Sequence, residues 1–171
     1  FSKEKKEIYD YKIRVIGSNI SLDRFYFSID TVSIIEELVK ISSPKLEEKT
    51  IFVWPEGILP GVYQEELSGY SSIFNKNFSE DHLLIIGTNT QVENDVSKDF
   101  FNTLAIYDNK LNLLDSYNKI NLVPFGEFLP LERILKKIGL KSLTNNYQSF
   151  SKGEKREIIN NKKKNFSIKI L

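Results

Sequence analysis

The sequence predicts an α/β domain in which helices pack on a mixed sheet with one open edge. Three apolar runs, which begin near residues 11, 50 and 83, have the length of strands, and a segment with helical spacing separates the first two. A hairpin pattern follows the third run. The resulting order of strand, helix, strand, strand, hairpin, helix and strand is typical of layered α/β domains.

The first strand and the first helix follow from two different periodicities. From Tyr11 the run YKIRVIG alternates polar with apolar residues and ends at Gly17, which predicts a strand. Asp30 is a residue type that caps helices, and Pro44 stops them. Between these two positions apolar residues recur at helical spacing, which predicts one amphipathic helix covering the sheet; they are Val32, Ile35, Leu38 and Val39.

The next elements are two buried strands and a hairpin. Thr50 to Trp54 and Leu83 to Thr90 are nearly continuous apolar runs, as in strands that are covered on both faces. Phe101 to Tyr107 and Leu111 to Tyr117 flank the turn sequence Asp108 to Lys110, which predicts a β-hairpin.

The remaining segments carry weaker patterns. Tyr63 to Phe78 is polar with scattered aromatic residues and predicts helix or loop, and a short amphipathic helix is expected from Leu131 to Gly139. Lys141 to Asn165 is predicted to be a loop, and Phe166 to Leu171 the start of a last strand. Because no residue follows that strand, we expect it to leave the sheet with an unprotected edge.

The composition excludes several classes of protein. With 24 basic and 23 acidic residues the formal net charge is +1, so no overall field attracts nucleic acid, and no nucleic-acid partner is expected. We also expect no cofactor and no metal, because the sequence has no glycine-rich phosphate loop and no ligand cluster at recognisable spacing. The absence of cysteine excludes disulfides and a cysteine nucleophile within these 171 residues.

Two further expectations concern the single histidine and membrane helices. The single histidine, His82, stands at a strand entrance and is expected to be structural. No apolar run approaches the roughly 18 to 20 residues that a membrane helix needs.

Two segments of similar design carry the candidate chemistry. IFVWPEGILPG, from Ile51 to Gly61, delivers Glu56 from an apolar strand into a turn braced by proline and glycine. YNKINLVPFGEFLP, from Tyr117 to Pro130, places a lysine and a carboxylate in an irregular segment after another strand. A turn-forming acidic residue and a rigid aromatic loop packed on the core are the alternative interpretations.

Carboxylates and a lysine arriving from separate strand ends suit acyl transfer. A glutamate can take a proton from a nucleophile and give it to the leaving group. A lysine ammonium can stabilise the oxyanion of a tetrahedral intermediate. The set lacks a nucleophile, since Ser167 falls in the middle of a predicted strand and no base is evident for it.

The two segments resemble a known family. WPEGILPG and YNKINLVPFGEFLPLERIL are similar to two signature blocks of the nitrilase-like domain of apolipoprotein N-acyltransferases, in the carbon-nitrogen hydrolase superfamily. GSNI, at Gly17 to Ile20, resembles another strand-end motif but lacks the glutamine that is usual there. The resemblance implies an αββα sandwich with a Glu-Lys-Cys triad, mounted on membrane helices of the bacterial inner membrane and facing the periplasm.

The resemblance also implies roles for individual residues. Glu56 would be the general base, Lys119 the oxyanion-stabilising lysine and Glu127 an additional glutamate that orients the site. Trp54 and Phe125 would be pocket walls for substrate, or else core residues. In the family, a phospholipid donates an acyl chain to the cysteine as a thioester, and the acyl group then passes to the amine of a lipoprotein's N-terminal cysteine.

The family's cysteine follows a strand equivalent to FSIKIL, where this sequence stops. We therefore expect residues 1–171 to be a single incomplete domain, inactive alone, from a full enzyme or from a split or decaying gene. A soluble amidase or nitrilase of the same superfamily is one alternative. Another is a non-catalytic remnant, or a half-domain that binds a missing C-terminal half through its open sheet edge.

Overall fold

The main feature of the fold is a mixed sheet of five strands that lie side by side in chain order. They are β1 (Lys12–Val15), β2 (Thr50–Trp54), β3 (His82–Glu93), β4 (Lys98–Tyr107) and β5 (Leu113–Asn118). Strands β1, β2 and β3 are parallel, whereas β4 is antiparallel to both β3 and β5. The computed structural model describes residues 11–17, 30–59, 61–93, 98–131, 149–154, 158–161 and 166–169.

Helices and a second, small sheet complete the described elements. Helix α1 (Thr31–Ser42) connects β1 to β2, and a 3₁₀ helix (Gln64–Tyr70) runs directly into α2 (Ser71–Asn77) before β3. Strands β6 (Ile158–Asn161) and β7 (Phe166–Lys169) pair antiparallel as a separate two-stranded sheet. Within the described part of the chain, no helix has the length and apolar character needed to cross a membrane.

Local signals account for the bounds of α1. The Asp30 side chain accepts a hydrogen bond from the backbone N–H of Val32 at 3.2 Å, which satisfies one of the free donors of the first turn. Ser43 adopts a left-handed conformation at φ 42°, and its N–H donates to Val39 O. The helix turns one apolar face to the sheet, with Ile35 and Leu38 fully buried.

Alternation along the strands separates two apolar faces. Phe52 and Trp54 of β2, with Leu84 and Ile86 of β3, point to the helices and form the larger cluster. The intervening residues belong to a smaller cluster on the opposite face, which contains Ile51, Leu83, Ile85 and Ile106. The sheet therefore separates a helix-covered core from a second apolar face.

His82 is a satisfied core residue, as the sequence predicts. It has no solvent exposure, and its ring lies edge-on to the rings of Phe52 and Phe78. Nδ1 accepts a hydrogen bond from Ser79 N at 3.0 Å, which leaves the proton on Nε2 to be donated to Lys45 O. These contacts tie the start of β3 to the segment before β2.

The α/β class, the mixed sheet, the first helix and the hairpin are confirmed. The polar segment from Tyr63 to Phe78 is helical from Gln64 to Asn77, first as a 3₁₀ helix and then as α2. Strands β3 and β4 are longer than predicted because their antiparallel ladder continues from Tyr107 to Lys98. The helix expected between Leu131 and Gly139 lies outside the described residues, except for Leu131, which is in a turn.

Two sequence predictions about the last third of the chain are wrong. The loop predicted between Lys141 and Asn165 contains β6, because Ile158–Asn161 pairs with the last strand. That last strand, β7, exists as predicted but pairs with β6 and does not form the open edge of the main sheet. Among the described strands, β1 and β5 are the outer strands of that sheet.

Packing of α1 on the sheet is testable with two truncations in one helix. Leu38 is fully buried, so Leu38→Ala should lower the free energy of unfolding by about 2–5 kcal/mol through lost burial and a residual cavity. Ile41 is 39% exposed, and Ile41→Ala should cost about 1 kcal/mol or less. Chemical denaturation measures both, and equal losses would contradict the orientation of α1.

Candidate active site

Four polar side chains from separate parts of the chain meet beside the C-terminal end of β2. Glu56 lies in the turn after β2, and Asn102 lies within β4. Lys119 directly follows β5, and Glu127 belongs to the loop beyond it. The sheet brings these positions together because β4 lies next to β5, and β3 lies between β4 and β2.

Lys119 and Asn102 both bridge the two carboxylates. Lys119 Nζ lies 2.8 Å from Glu127 Oε1 and 3.2 Å from Glu56 Oε1. Asn102 Nδ2 donates to the same two oxygens, to Glu127 Oε1 at 2.6 Å and also to Glu56 Oε1. The second oxygen of Glu127 accepts from the backbone N–H of Val123 at 2.7 Å. Glu127 is therefore held by three donors and Glu56 by two.

The two carboxylates differ in their access to solvent. The side chain of Glu127 is 12% exposed, that of Lys119 is 31% exposed, and that of Glu56 is 61% exposed. Glu127 is thus enclosed by its partners and suited to hold the lysine in place. Glu56 is the carboxylate that an incoming reactant can reach.

The environment favours the charged forms of Glu127 and Lys119. Burial alone would raise the pKa of Glu127, but hydrogen bonds from Lys119, the Val123 amide and Asn102 together lower it below its ordinary value. Burial alone would lower the pKa of Lys119, but the hydrogen bonds and charges of Glu127 and Glu56 raise it above its ordinary value. A protonated lysine between ionised carboxylates is the state that these contacts stabilise.

Two glycines set the position of Glu56. Gly57 has φ 63°, a left-handed conformation that glycine adopts without steric cost, and it turns the chain immediately after Glu56. Gly87 of β3 lies against the same turn, where a Cβ would be only 2.8 Å from Glu56 Cα. The turn can therefore rest directly on the sheet only because residue 87 has no side chain.

The loop that carries Glu127 is fixed by its own backbone. Phe125 N donates to Phe128 O and Glu127 N donates to Val123 O, both at 2.8 Å. Phe125 has φ 63° and Leu131 has φ 58°, a conformation that is uncommon for bulky residues. Such a conformation persists only where the surrounding contacts impose it.

Residues 149–154 form a strap across the backbone of the site. Phe150 N donates to Glu127 O at 2.7 Å, and Gly153 N donates to Lys119 O at 3.0 Å. A Cβ on Gly153 would lie 2.1 Å from Asn118 O, so the strap crosses this strand end at a distance that only glycine permits. The strap therefore joins the backbone of the lysine to the backbone of the enclosed glutamate.

The structure brings together the three polar residues that the motifs single out. The two aromatic residues of the motifs, Trp54 and Phe125, lie in different environments. Trp54 is a core residue, because it is 2% exposed, its ring centroid lies 5.3 Å from that of Phe74, and its indole N–H donates to Ser42 Oγ. Trp54 therefore forms no wall beside the carboxylates. Phe125 is 72% exposed at the loop next to Glu127.

Sequence reasoning missed Asn102. The residue shares a strand face with Leu104 and Ile106, by alternation along β4. An amide in a series of apolar inward-facing positions is the one local signal that could have identified it. No group of three or more potential metal ligands lies together among the residues with described positions.

The contact between Gly87 and Glu56 predicts a specific steric effect. Gly87→Ala places a methyl group against Glu56 Cα, so we expect a loss of about 1–3 kcal/mol in unfolding free energy and a displaced Glu56 amide resonance. Gly69→Ala is the matched control, because a Cβ there meets nothing within 4 Å. A Gly87→Ala protein with unchanged stability and an unmoved Glu56 resonance would refute the close contact.

The lowered pKa of Glu127 predicts a pH-dependent contribution to stability. An ionised Glu127 stabilises the fold fully above its ordinary value of 4.5, and this stabilisation is lost as the pH falls through the lower folded value. Glu127→Gln should cost about 1–3 kcal/mol at pH 7, and the difference from the unmodified chain should shrink below pH 4.5. Denaturation of both proteins at several pH values measures this difference in unfolding free energy. Glu36→Gln, on the exposed side of α1, is the control, and a pH-independent difference for Glu127→Gln would contradict the assignment.

Curated proteins that are similar in sequence include apolipoprotein N-acyltransferases. No protein-family model matches the chain. An apolipoprotein N-acyltransferase of Allorhizobium ampelinum is 26% identical over 153 residues, covering 86% of this chain and 29% of the relative. One of Caulobacter vibrioides is 28% identical over 149 residues, covering 82% of this chain and 28% of the relative.

Among solved structures, a member of branch 10 of the nitrilase superfamily from Saccharomyces cerevisiae matches with a TM-score of 0.39 at 16% identity. The match covers 76% of this chain and 43% of the yeast protein.

The chain spans less than a third of the length of the curated relatives given above. The resemblance to apolipoprotein N-acyltransferases that the two motifs predict is confirmed by these relatives, which match most of the chain in sequence.

Proposed function

We propose that Glu56, Lys119 and Glu127 belong to the active site of an N-acyltransferase that acts on lipoproteins. The observation that carries the proposal is the Lys119 ammonium, held within 3.2 Å of both carboxylates, with Glu56 exposed on one side of it. A fixed cation next to an accessible base is the pair that acyl transfer through a tetrahedral intermediate requires. The acyl donor is a phospholipid and the acceptor is the amine of a lipoprotein's N-terminal cysteine.

In the first half-reaction, Glu56 takes the proton of a cysteine thiol, and the thiolate attacks the acyl carbonyl carbon of the phospholipid. Lys119 donates a hydrogen bond to the oxyanion that develops. The ester C–O bond then breaks, Glu56 returns its proton to the departing oxygen, and the acyl group remains on sulfur as a thioester. Glu127 keeps Lys119 charged and in place throughout.

In the second half-reaction, the lipoprotein amine attacks the thioester carbonyl carbon and Glu56 accepts the proton that the amine loses. Lys119 stabilises the second oxyanion in the same position. The C–S bond breaks, the proton passes to sulfur, and the products are the amide and the free thiol. The same base and the same cation therefore serve both steps.

The thiol and the membrane attachment of this proposal come from residues other than these 171, which contain no cysteine. In the proposed arrangement the domain stands on the periplasmic side of a bacterial inner membrane, where the lipid and the lipoprotein are both accessible. The present residues supply the base, the oxyanion-stabilising cation and its orienting glutamate.

The chain by itself should show no acyl transfer, because removing the covalent nucleophile from such a site costs on the order of a million-fold in rate. Incubation with radiolabelled phosphatidylethanolamine, followed by denaturing electrophoresis, measures covalent acylation. Time-dependent labelling that reaches one acyl group per chain would contradict the proposed division of roles.

A chimera tests the function directly. The matching segment of the Caulobacter enzyme is replaced by this chain, and N-acylation of a lipoprotein substrate is measured in membranes. We expect activity in the chimera, and a loss on the order of 100- to 10,000-fold with Glu56→Gln or Lys119→Met. Glu36→Gln is the matched control. A membrane-inserted chimera that is inactive, or that keeps full activity with Glu56→Gln, would refute the proposal.

A further inference from the structure

We propose that Asn102 is the positioning residue of this site, and that its side-chain amide holds Glu56 and Glu127 around Lys119 while both are ionised. The roles of the two carboxylates in this inference rest on the proposed function. The geometric statement about Asn102 is independent of that function and can be tested without any acyl transfer.

The number of donors on the amide matches the number of carboxylates. An asparagine NH₂ group has two N–H donors. Asn102 Nδ2 donates to Glu127 Oε1 at 2.6 Å and also to Glu56 Oε1. The same two oxygens contact Lys119 Nζ, so each of them lies between the amide and the ammonium. Each of these two oxygens is consequently bound both by the Asn102 amide and by the Lys119 ammonium.

The backbone of Asn102 also fixes the lysine. Its carbonyl oxygen accepts a hydrogen bond from Lys119 N at 2.8 Å, just beyond the end of β5. On its other side, Asn102 is paired with Asn89 in the β3–β4 ladder. A residue held by the strands on both sides is a rigid support, and groups attached to it keep their positions.

The Asn102 amide is a neutral hydrogen-bond donor beside two carboxylates that repel each other. Among the described ion pairs, Glu56 and Glu127 share one lysine, and two neighbouring carboxylates favour protonation of one of them. The Asn102 amide offers hydrogen bonds to both without adding a charge, and its own state does not change with pH. Each carboxylate therefore has a neutral donor in addition to the Lys119 ammonium.

Substitutions of similar shape separate this role from a packing role. Asn102→Leu keeps the approximate volume of the side chain and removes both donors. Asn102→Asp keeps the shape and replaces the donors with a third carboxylate. Asn89→Leu is the matched control, because Asn89 is the cross-strand neighbour of Asn102 and has no hydrogen bond to either glutamate among the described contacts.

The first experiment is an NMR pH titration of the full chain labelled with ¹³C at the glutamate carboxyl carbons. In Asn102→Leu we expect the titration midpoint of Glu127 to move upward from that of the unmodified chain, because one donor to the carboxylate is lost. In Asn102→Asp we expect a larger upward shift, and in Asn89→Leu none. A Glu127 midpoint in Asn102→Leu equal to that of the unmodified chain would overturn the inference.

The second experiment needs no substitution and so does not depend on whether the variants fold. The side-chain amide protons of Asn102 are followed in the unmodified chain across the same pH range. We expect their resonances to shift as Glu127 is protonated, whereas those of Asn89 stay constant. Asn102 resonances that do not respond to the Glu127 titration would overturn the inference.

Failure of this inference and failure of the proposed function have different signatures. Asn102→Leu in the active chimera should lower kcat on the order of 100-fold, since a small displacement of reacting groups has effects of that size. If the titrations respond as expected and the chimera is inactive, the function is wrong and the positioning role stands. If the chimera is active and its kcat is unchanged by Asn102→Leu, the positioning role is wrong.

Discussion

The charged contact of Lys119 with Glu56 and Glu127 is the interaction on which the site depends. It joins a turn after the second strand to a loop after the fifth strand, residues that are 63 positions apart in the chain. Without the lysine both carboxylates would lose their cationic partner, and the lysine would lose its raised pKa without them. The sheet order is what makes this contact possible, because β3 and β4 bridge the distance between the two segments.

Close backbone contacts support this charged group. Gly87 lets the Glu56 turn rest on β3, and Gly153 lets the strap of residues 149–154 cross Asn118 O. The strap also binds the peptide groups of Lys119 and Glu127. At either position, any other residue would place a Cβ against the neighbouring backbone. The two glycines are therefore needed for the close approach of two segments, and not for a special φ angle.

How much of this could be predicted depends on whether the signal is local. Helix α1 was predictable because its cap, its spacing and its end are contained in about 14 consecutive residues. The role of Asn102 was not predictable, because it arises from the register of three strands. Strand β6 was not predictable either, because it is defined by its pairing with β7. Trp54 was assigned correctly to a strand, but the side of the sheet it faces decides between core and pocket, and the motif does not carry that information.

The most direct test of the charged contact is the titration of Lys119 itself, followed by NMR of the chain labelled with ¹⁵N at lysine side chains. The account predicts that Lys119 loses its proton above the ordinary value of 10.5, and that Glu56→Gln and Glu127→Gln each bring the midpoint down. A midpoint at the ordinary value that neither substitution moves would contradict the account, because Lys119 would then make no charged contact with either glutamate.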